Sequence, residues 1–317
     1  MNLAWSSPLR ARFRSLDARD GLLLRGPAGW AEFSPFWEYD DEVAVPWLRA
    51  ALEAATEGFP APLRDRVPVN VTIPAVGPEL AARLVRDSRG CTTAKVKVAE
   101  PGQGLEDEVE RLAAVRSALG PTGQIRIDAN GAWTAAEAVS VLPVLDRAAG
   151  GLQYAEQPCR TVAELAEVRR RVAVPIAADE SIRRAADPFA VKRAGAADVV
   201  VLKVQPLGGV RACLELAAEL DMPVVVSSAL ESSVGIAMGV ALAAALPDHG
   251  LASGLATVQL LERDVSAAPL LPEDGHLPVR PAEPDAAAEV EPELTARWRA
   301  RLEAVALRGG LDLGVLG

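Results

Sequence analysis

The stretch AKVKV at residues 94–98 is followed by a segment with the apolar periodicity of a helix, and then by QIRID at residues 124–128. The two short stretches contain β-branched residues at the density expected of buried strands. Parallel neighbours in a sheet need a crossover connection of this length, which is usually a helix. The pattern therefore predicts strand, helix and strand in one parallel sheet.

The same unit recurs along most of the chain. Eight strands are predicted, at residues 69–71, 94–98, 124–128, 152–156, 175–179, 199–203, 224–227 and 251–254. The polar residues that end six of them, from Lys97 to Ser227, are 31, 28, 23, 24 and 24 residues apart, about one strand and helix per step. Eight such units favour a (β/α)8-type barrel, a modified TIM barrel, over an open sheet.

Smaller elements flank this α/β barrel. Residues 1 to about 40 alternate apolar and polar side chains between turn signals, which is typical of an antiparallel meander, and a predicted helix at 43–55 follows. A second helix is predicted at 293–308. We expect an α+β capping domain whose N-terminal part is residues 1–65, a barrel with the active site at 66–268, and a C-terminal segment at 269–317 that packs back on the cap.

Composition narrows the possible functions. The chain has 317 residues and a formal net charge of −10, and nucleic acids and anionic membranes both require a basic face. The longest apolar run, residues 234–246, is too short to span a bilayer. Three cysteines without CxxC spacing indicate buried thiols in a reducing compartment. We expect a cytoplasmic protein, monomeric or homo-oligomeric, that acts on a small molecule and binds neither nucleic acid nor membrane.

Lysine is rare in this chain. Of 33 basic residues, 29 are arginine and only Lys95, Lys97, Lys192 and Lys203 are lysine. Arginine stays protonated in proteins, whereas lysine can be driven to release its proton. Three of the four lysines lie at predicted strand ends, where barrel enzymes carry their catalytic groups.

Three carboxylates end the strands between those lysines. Asp128, Glu156 and Asp179 follow one another on successive predicted strands. Carboxylates that converge on one wall repel unless a cation joins them, and their hard oxygens suit Mg²⁺, with Mn²⁺ as the other choice. We predict that these three residues bind one divalent metal ion.

The lysines then fall on both sides of the metal site. Lys97 and Lys203 end strands that are four apart in a ring of eight, so they should face each other across the mouth of the barrel. Such a site suits removal of a proton next to a carboxylate, because the metal and a cation neutralise the resulting enediolate. We assign Lys97 as the base, Lys95 as the neighbour whose charge lowers its pKa, and Lys203 as the opposing cation.

The strand-end motifs resemble those of the enolase superfamily, muconate-lactonising subgroup. They are AKVK (94–97), RIDANG (126–131), AEQP (155–158), ADES (178–181) and LK (202–203) followed by GG (208–209). The resemblance extends from GWAE (29–32) in the N-terminal meander to the last strand. The segment VVSSALESSVG at 225–235 resembles the o-succinylbenzoate synthase family, actinobacterial type.

This resemblance implies a carbon–oxygen lyase. The reaction is syn dehydration of 2-succinyl-6-hydroxy-2,4-cyclohexadiene-1-carboxylate to o-succinylbenzoate in menaquinone biosynthesis. Lys97 would remove the proton and then return it to the departing hydroxide. Ser227 and Ser228 would contact the succinyl part of the substrate.

Four further polar residues lie near these motifs. We expect Asn130 to support Asp128 and not to bind the metal itself. Gln157 and Glu180 either orient the ligands or are satisfied buried polar groups. Arg126 either supports the site or forms a structural ion pair.

Other functions remain open at this point. An N-acylamino acid racemase or dipeptide epimerase would use the same two facing lysines as alternating acid and base. A Schiff-base aldolase would use Lys97 or Lys203 without a metal. A barrel retained as a binding module would need neither the lysines nor the carboxylates.

Overall fold

The computed structural model describes residues 2–13, 16–247, 250–285 and 290–316. The strands are β1 (Asn2–Phe13), β2 (Leu16–Gly26), β3 (Gly29–Phe33), β4 (Arg66–Pro68), β5 (Val71–Ile73), β6 (Thr93–Lys97), β7 (Gln124–Asp128), β8 (Tyr154–Glu156), β9 (Ile176–Ala178), β10 (Val199–Leu202), β11 (Val224–Val226) and β12 (His276–Pro278). The α-helices are α1 (Asp41–Thr56), α2 (Pro78–Arg86), α3 (Leu105–Leu119), α4 (Ala135–Ala149), α5 (Val162–Arg171), α6 (Glu180–Arg183), α7 (Ala190–Arg193), α8 (Val210–Leu220), α9 (Ser233–Ala245) and α10 (Pro292–Gly309).

Seven parallel strands form the main sheet, in the spatial order β11-β10-β9-β8-β7-β6-β5. Two further residues close the ring, because Ser253 pairs with Val69 and Gly254 pairs with Ser227, both in parallel. Glycine is needed at this closure, since a Cβ on Gly254 would lie 2.7 Å from Oγ of Ser227. The predicted (β/α)8-type barrel is confirmed, with its eighth strand reduced to a short bridge.

The first barrel strand differs from its predicted position. The ladder with β6 begins at Val71, paired with Ala94, and not at Val69. Residues 66–73 form one extended run that changes partner along its length, from β12 at Arg66–Pro68 to the closing bridge at Val69 and then to β6. Local sequence carries no signal for such a change, because both halves of the run are equally suited to a strand.

Helix boundaries follow local capping signals. Helices α4 and α5 begin with capping boxes, in which Thr134 pairs with Glu137 and Thr161 with Glu164. The predicted apolar run at 234–246 forms α9, whose residues are almost all buried. Among the residues with described structure, the helices are too short or too polar to cross a bilayer.

The predicted N-terminal meander is confirmed as an antiparallel sheet in the order β1-β2-β3. Helix α10 packs against it through Trp298, whose ring lies 6.0 Å from Phe33 and 4.4 Å from Trp37 between centroids. The Trp298 indole also donates a hydrogen bond to Asp20 at 2.9 Å. The domain boundaries at 1–65, 66–268 and 269–317 stay a prediction.

Candidate active site

The strand ends bring the predicted catalytic and metal-binding side chains together. Lys97 is the register partner of Asp128 on the next strand, and Asp128 is the partner of Glu156 on the one after that. Asp179 follows β9 and Lys203 follows β10 directly. All of these side chains are buried at the carboxyl ends of the barrel strands.

Each strand-end lysine pairs with a strand-end carboxylate. Lys95 Nζ lies 2.5 Å from Glu156 Oε1 and 2.9 Å from Asp128 Oδ2. Lys97 Nζ lies 2.6 Å from the same Asp128 oxygen. Across the mouth, Lys203 Nζ lies 2.7 Å from Asp179 Oδ2. Three ammonium groups therefore offset the charge of three buried carboxylates.

The charged groups of this cluster shift one another's pKa values. Burial alone would lower the pKa of Lys95, but Asp128 and Glu156 outweigh it and raise the pKa, so Lys95 is a cation. Burial also opposes the charge of Asp128, yet Lys95 and Lys97 hold its pKa well below the ordinary value. Glu156 differs, because burial and the charge of Asp128 raise its pKa to about 7. Glu156 is thus the carboxylate whose charge is least compensated.

Arg183 is a member of the cluster that the sequence analysis missed. Its guanidinium lies 2.8 Å from Asp179 Oδ1 and 2.5 Å from Glu180 Oε1, and it donates to the Tyr39 hydroxyl at 3.2 Å. Although burial raises the pKa of Asp179, the charges of Arg183 and Lys203 outweigh it and depress that pKa. The available signal was the spacing, since an arginine one helical turn after a strand-end aspartate can reach back to it.

The carboxylates suit a hard divalent cation. Glu156 Oε2 is buried without a hydrogen-bond partner. A buried oxygen without a partner is available to bind a metal ion. Within the described ranges, no three carboxylate, imidazole or thiolate groups are close enough to hold one ion together. The lysine ammonium groups lie between the carboxylates and supply the positive charge there. The carboxylate oxygens are donors of the kind that a divalent ion binds, but to share one ion the three carboxylates would have to move closer together and give up these ammonium partners.

The predicted supporting residues fix the strand ends. Asn130 accepts a hydrogen bond from Lys97 at 2.5 Å, and its backbone N–H donates to Asp128 Oδ1 at 3.1 Å. Its side-chain amide also donates to Glu180 at 3.3 Å. Gln157 Oε1 accepts from the backbone N–H of Asp179 at 3.0 Å. These contacts orient the lysine and the carboxylates. Gln157 is fully buried, and its hydrogen bonds satisfy its side-chain amide there.

Arg126 lies one layer below the site, two residues before Asp128 on β7. It donates to Gln153 at 2.6 Å, to Asn70 at 3.2 Å and to the carbonyl of Ala252 at 2.6 Å. None of the ion pairs in the described part of the chain includes it, so the structural ion pair is not supported. Arg126 instead joins the β7 side of the barrel to the closing strand.

A pocket opens above the cluster, between the barrel and the cap. Its walls are Phe13, Phe36, Thr72, Lys95, Lys97, Asp128, Asn130, Lys203, Ser227, Ser228, Ala229, Leu230, Gly254 and Thr257. The Phe13 ring lies 5.1 Å from Lys97 Nζ. Ser227 and Ser228 both line the pocket, although the Ser228 hydroxyl already donates to the Gly254 carbonyl at 2.9 Å. The two phenylalanines come from the cap, and sequence patterns did not place them here.

Two family models match the chain. Residues 79–290 match the model described as enolase C-terminal domain-like, and residues 4–55 match the model described as enolase N-terminal domain-like. The first match spans most of the barrel and the second spans the N-terminal part of the cap.

Curated relatives are similar over most of the chain. An o-succinylbenzoate synthase from Thermobifida fusca (strain YX) is 61% identical over 305 residues, which cover 95% of this chain and 94% of that protein. An o-succinylbenzoate synthase from Mycolicibacterium smegmatis is 53% identical over 294 residues, covering 92% and 90%.

Solved structures with the same fold are more distant in sequence. The L-Ala-D/L-Glu epimerase from Bacillus subtilis matches with a TM-score of 0.75 and 20% identity over 92% of this chain and 98% of that one. The muconate lactonizing enzyme from Pseudomonas fluorescens matches with a TM-score of 0.75 and 22% identity over 94% and 97%. At these identities the likeness concerns the fold alone.

Proposed function

The chain belongs to the enolase superfamily, and from that premise we propose that it dehydrates 2-succinyl-6-hydroxy-2,4-cyclohexadiene-1-carboxylate to o-succinylbenzoate. It is an enzyme, a carbon–oxygen lyase of the o-succinylbenzoate synthase family. The observation that carries this conclusion is the 61% identity to such a synthase over 95% of the chain. The racemase, epimerase, aldolase and binding-module alternatives are not favoured, and the reaction belongs to menaquinone biosynthesis.

Lys97 is the proposed acid and base of the reaction. Its neutral Nζ removes the proton from C1 of the ring, next to the carboxylate. The C6–O bond then breaks, the C1–C6 double bond completes the aromatic ring, and the Lys97 ammonium returns the proton to the hydroxide, which leaves as water. One group can serve both steps because the proton and the hydroxyl leave from the same face.

Lys95 makes the neutral form of Lys97 more accessible. The two side chains contact the same oxygen of Asp128, and Lys95 is a cation whose pKa is raised mainly by Asp128 and Glu156 against the opposing effect of burial. A second positive charge at this place is disfavoured by repulsion, so Lys97 gives up its proton more readily. Asn130 orients the Lys97 amine through the hydrogen bond at its side-chain oxygen.

Lys203 stabilises the charge that develops on the substrate carboxylate. Its strand is separated from that of Lys97 by β7, β8 and β9, and both lysines line one pocket. A fixed ammonium group in a buried site stabilises an enediolate without reorganisation at the moment of reaction. Arg183 and Asp179 hold Lys203 in place, because Asp179 contacts both.

A divalent metal ion is required by this family, and we propose Mg²⁺, with Mn²⁺ as the possible substitute. Asp128, Glu156 and Asp179 are the residues that would hold it. When bound, it supplies positive charge that lowers the energy of the enediolate. Gln157 fixes the Asp179 backbone beside it.

The rest of the pocket would bind the succinyl part of the substrate. Ser227 and Ser228 offer hydroxyl groups there, and Phe13 and Phe36 offer aromatic walls from the cap. We further propose a cytoplasmic location, which the three buried, unpaired cysteines support.

A turnover assay tests the proposal. Purified protein with Mg²⁺ should aromatise the cyclohexadiene carboxylate, followed by ultraviolet absorbance, and should lose this activity in EDTA. The proposal fails if the protein racemises N-succinyl amino acids, measured by polarimetry, while it leaves the cyclohexadiene unchanged. Activity that persists in EDTA would also contradict the assignment of the carboxylates.

A further inference from the structure

Arg19 is a buried arginine at the junction of the cap and the barrel. It lies on β2 and is only 3% exposed. None of the ion pairs in the described part of the chain includes Arg19, and its guanidinium donates to backbone carbonyls instead. Burial lowers its pKa, and the nearby carboxylates of Glu32 and Glu231 partly offset that effect. Burial of a charged group costs free energy unless its contacts compensate for it.

Those contacts reach two opposite walls of the substrate pocket. In the cap, Arg19 donates to the carbonyl of Ser34 and its guanidinium carbon lies 4.5 Å from the centre of the Phe36 ring. On the barrel side, its Nε donates to the carbonyl of Ala229 at 3.4 Å. Phe36, Ala229 and the adjacent Leu230 all line the pocket. One side chain therefore joins an aromatic wall of the cap to the loop after β11.

The conformations of both pocket walls depend on contacts with side chains from other parts of the chain. The N–H of Ala229 donates to Glu231 at 2.6 Å, and the carbonyl of Ala229 accepts from Arg19, so both backbone polar groups of this residue have partners. Leu230 has φ of 64°, a left-handed conformation that costs free energy in a residue with a Cβ. The backbone of Phe36 is held from its other side by Arg301, at 3.0 Å. The loop and the aromatic wall are thus fixed by packing and not by local preference.

Ser34 extends the junction toward the catalytic lysine. Its N–H donates to Gln205 Oε1 at 3.2 Å, and Gln205 follows Lys203 by two residues. Within the described ranges, the hydrogen bonds of Arg19 reach none of the strand-end lysines or carboxylates. Its influence is therefore confined to the shape of the pocket beyond the reacting atoms.

We propose that Arg19 is a positioning residue that sets substrate specificity, by holding Phe36 and the Ala229–Leu230 loop at a fixed separation around the succinyl part of the substrate. The inference rests on the proposed function, because that function puts the ring carbon between Lys97 and Lys203 and leaves the succinyl chain to this side of the pocket. Arg19 itself does not touch the reacting atoms.

The variant R19M removes the hydrogen bonds and keeps a side chain of similar length. We expect KM for the cyclohexadiene carboxylate to rise about tenfold or more while kcat changes less than about threefold, because the binding that is lost is similar in the ground state and the transition state. The matched control is R10M. Arg10 also joins the cap to barrel carbonyls, those of Leu261 and Glu262, but it does not line the pocket or contact its walls.

Inhibition constants separate positioning from general destabilisation. In R19M, inhibition by o-succinylbenzoate should weaken about tenfold, whereas inhibition by benzoate, which lacks the succinyl chain, should stay unchanged. R19K should fall between R19M and the wild type, because an ammonium group cannot reach both walls at once. Equal weakening of both inhibitors, or the same response in R10M, would overturn the proposal.

A second variant tests the proposal even if R19M does not fold. F36L keeps the hydrogen bonds of Arg19 but removes the ring that contacts its guanidinium and lines the pocket. It should weaken inhibition by o-succinylbenzoate and leave inhibition by benzoate unchanged. Unchanged inhibition by o-succinylbenzoate in F36L would refute the assignment. Wild-type protein without dehydratase activity would refute the proposed function and this inference together, whereas active wild type with a nonselective R19M would refute the inference alone.

Discussion

Lys97 Nζ lies 2.6 Å from Asp128 Oδ2, and Lys95 approaches the same oxygen at 2.9 Å. One carboxylate oxygen therefore serves two ammonium groups from one strand, two residues apart. The negative charge of the carboxylates offsets the repulsion between the two ammonium groups.

Replacement of Lys97 by alanine should reduce the dehydration rate by about 10³-fold, because general acid and base catalysis contributes on that order. K97A should also stop exchange of the substrate α-proton with solvent, which NMR in D₂O measures. The control is K192A, which removes an exposed lysine from α7. A rate for K97A within tenfold of K192A would contradict the role of Lys97.

Arginine should separate the roles of the two facing lysines. K203R keeps a positive charge and should lose less than about 100-fold in kcat, since the removal of a whole stabilising donor costs about that much. K97R should lose as much as K97A, because arginine cannot give up its proton. The measurement is kcat at saturating substrate for both variants. Comparable losses of kcat in K97R and K203R would contradict the assignment of Lys97 as the base and Lys203 as the stabilising cation.

Metal binding should stabilise the folded protein through Glu156. At about 100 times its dissociation constant, Mg²⁺ should add about 2.7 kcal/mol to the free energy of unfolding of the wild type. E156Q should lose most of this gain, because one of three charged ligands becomes neutral. E303Q, which alters an exposed residue of α10, should retain it. Thermal melts with and without Mg²⁺ measure the effect, and an equal shift in E156Q would exclude Glu156 as a ligand.

Glu32 should make the stability of the protein depend on pH. Burial and the neighbouring charge of Glu231 raise the pKa of Glu32 from 4.5 to about 8, although the hydroxyls of Ser232 and Ser34 and the charge of Arg19 act against this. The folded protein therefore holds a proton that the unfolded chain releases. This stabilising contribution is complete below pH 4.5 and is lost as the pH rises through about 8.

The variant E32Q removes this titration and keeps a side chain of the same shape. Between pH 5 and pH 8, the free energy of unfolding should fall less steeply with pH in E32Q than in the wild type. The difference in slope has an upper limit of about 1.4 kcal/mol per pH unit for one proton. Urea titrations at several pH values measure it. Parallel curves for the two proteins would show that Glu32 is already ionised when folded.

Much of the barrel was predictable because its strands are local. Each of the seven ladder strands is a short run that contains β-branched or small apolar residues. The polar residues at the ends of six of them recur at nearly even spacing. The closing strand, predicted at residues 251–254, is shorter in the structure, where Ser253 and Gly254 pair with Val69 and Ser227 through two bridges only. A two-residue strand has too little sequence to carry a propensity signal.

The catalytic cluster was predictable for a similar reason. A closed barrel carries its strand ends to one mouth, so residues spaced one unit apart in sequence become neighbours in space. Arg183, Arg19 and Phe36 were missed because their partners come from other elements. Arg19, for example, meets Ala229 across 210 residues of sequence.

The sequence by itself determined the order of the strands, the residues at their ends and the chemistry those residues can perform. These features follow from local periodicity and from the geometry that any closed parallel barrel must have. Tertiary structure alone decided which lysine pairs with which carboxylate, how the cap walls the pocket, and which arginines are buried without a carboxylate partner. Those outcomes depend on side-chain packing and on charge interactions between distant segments, which no local pattern of residues specifies.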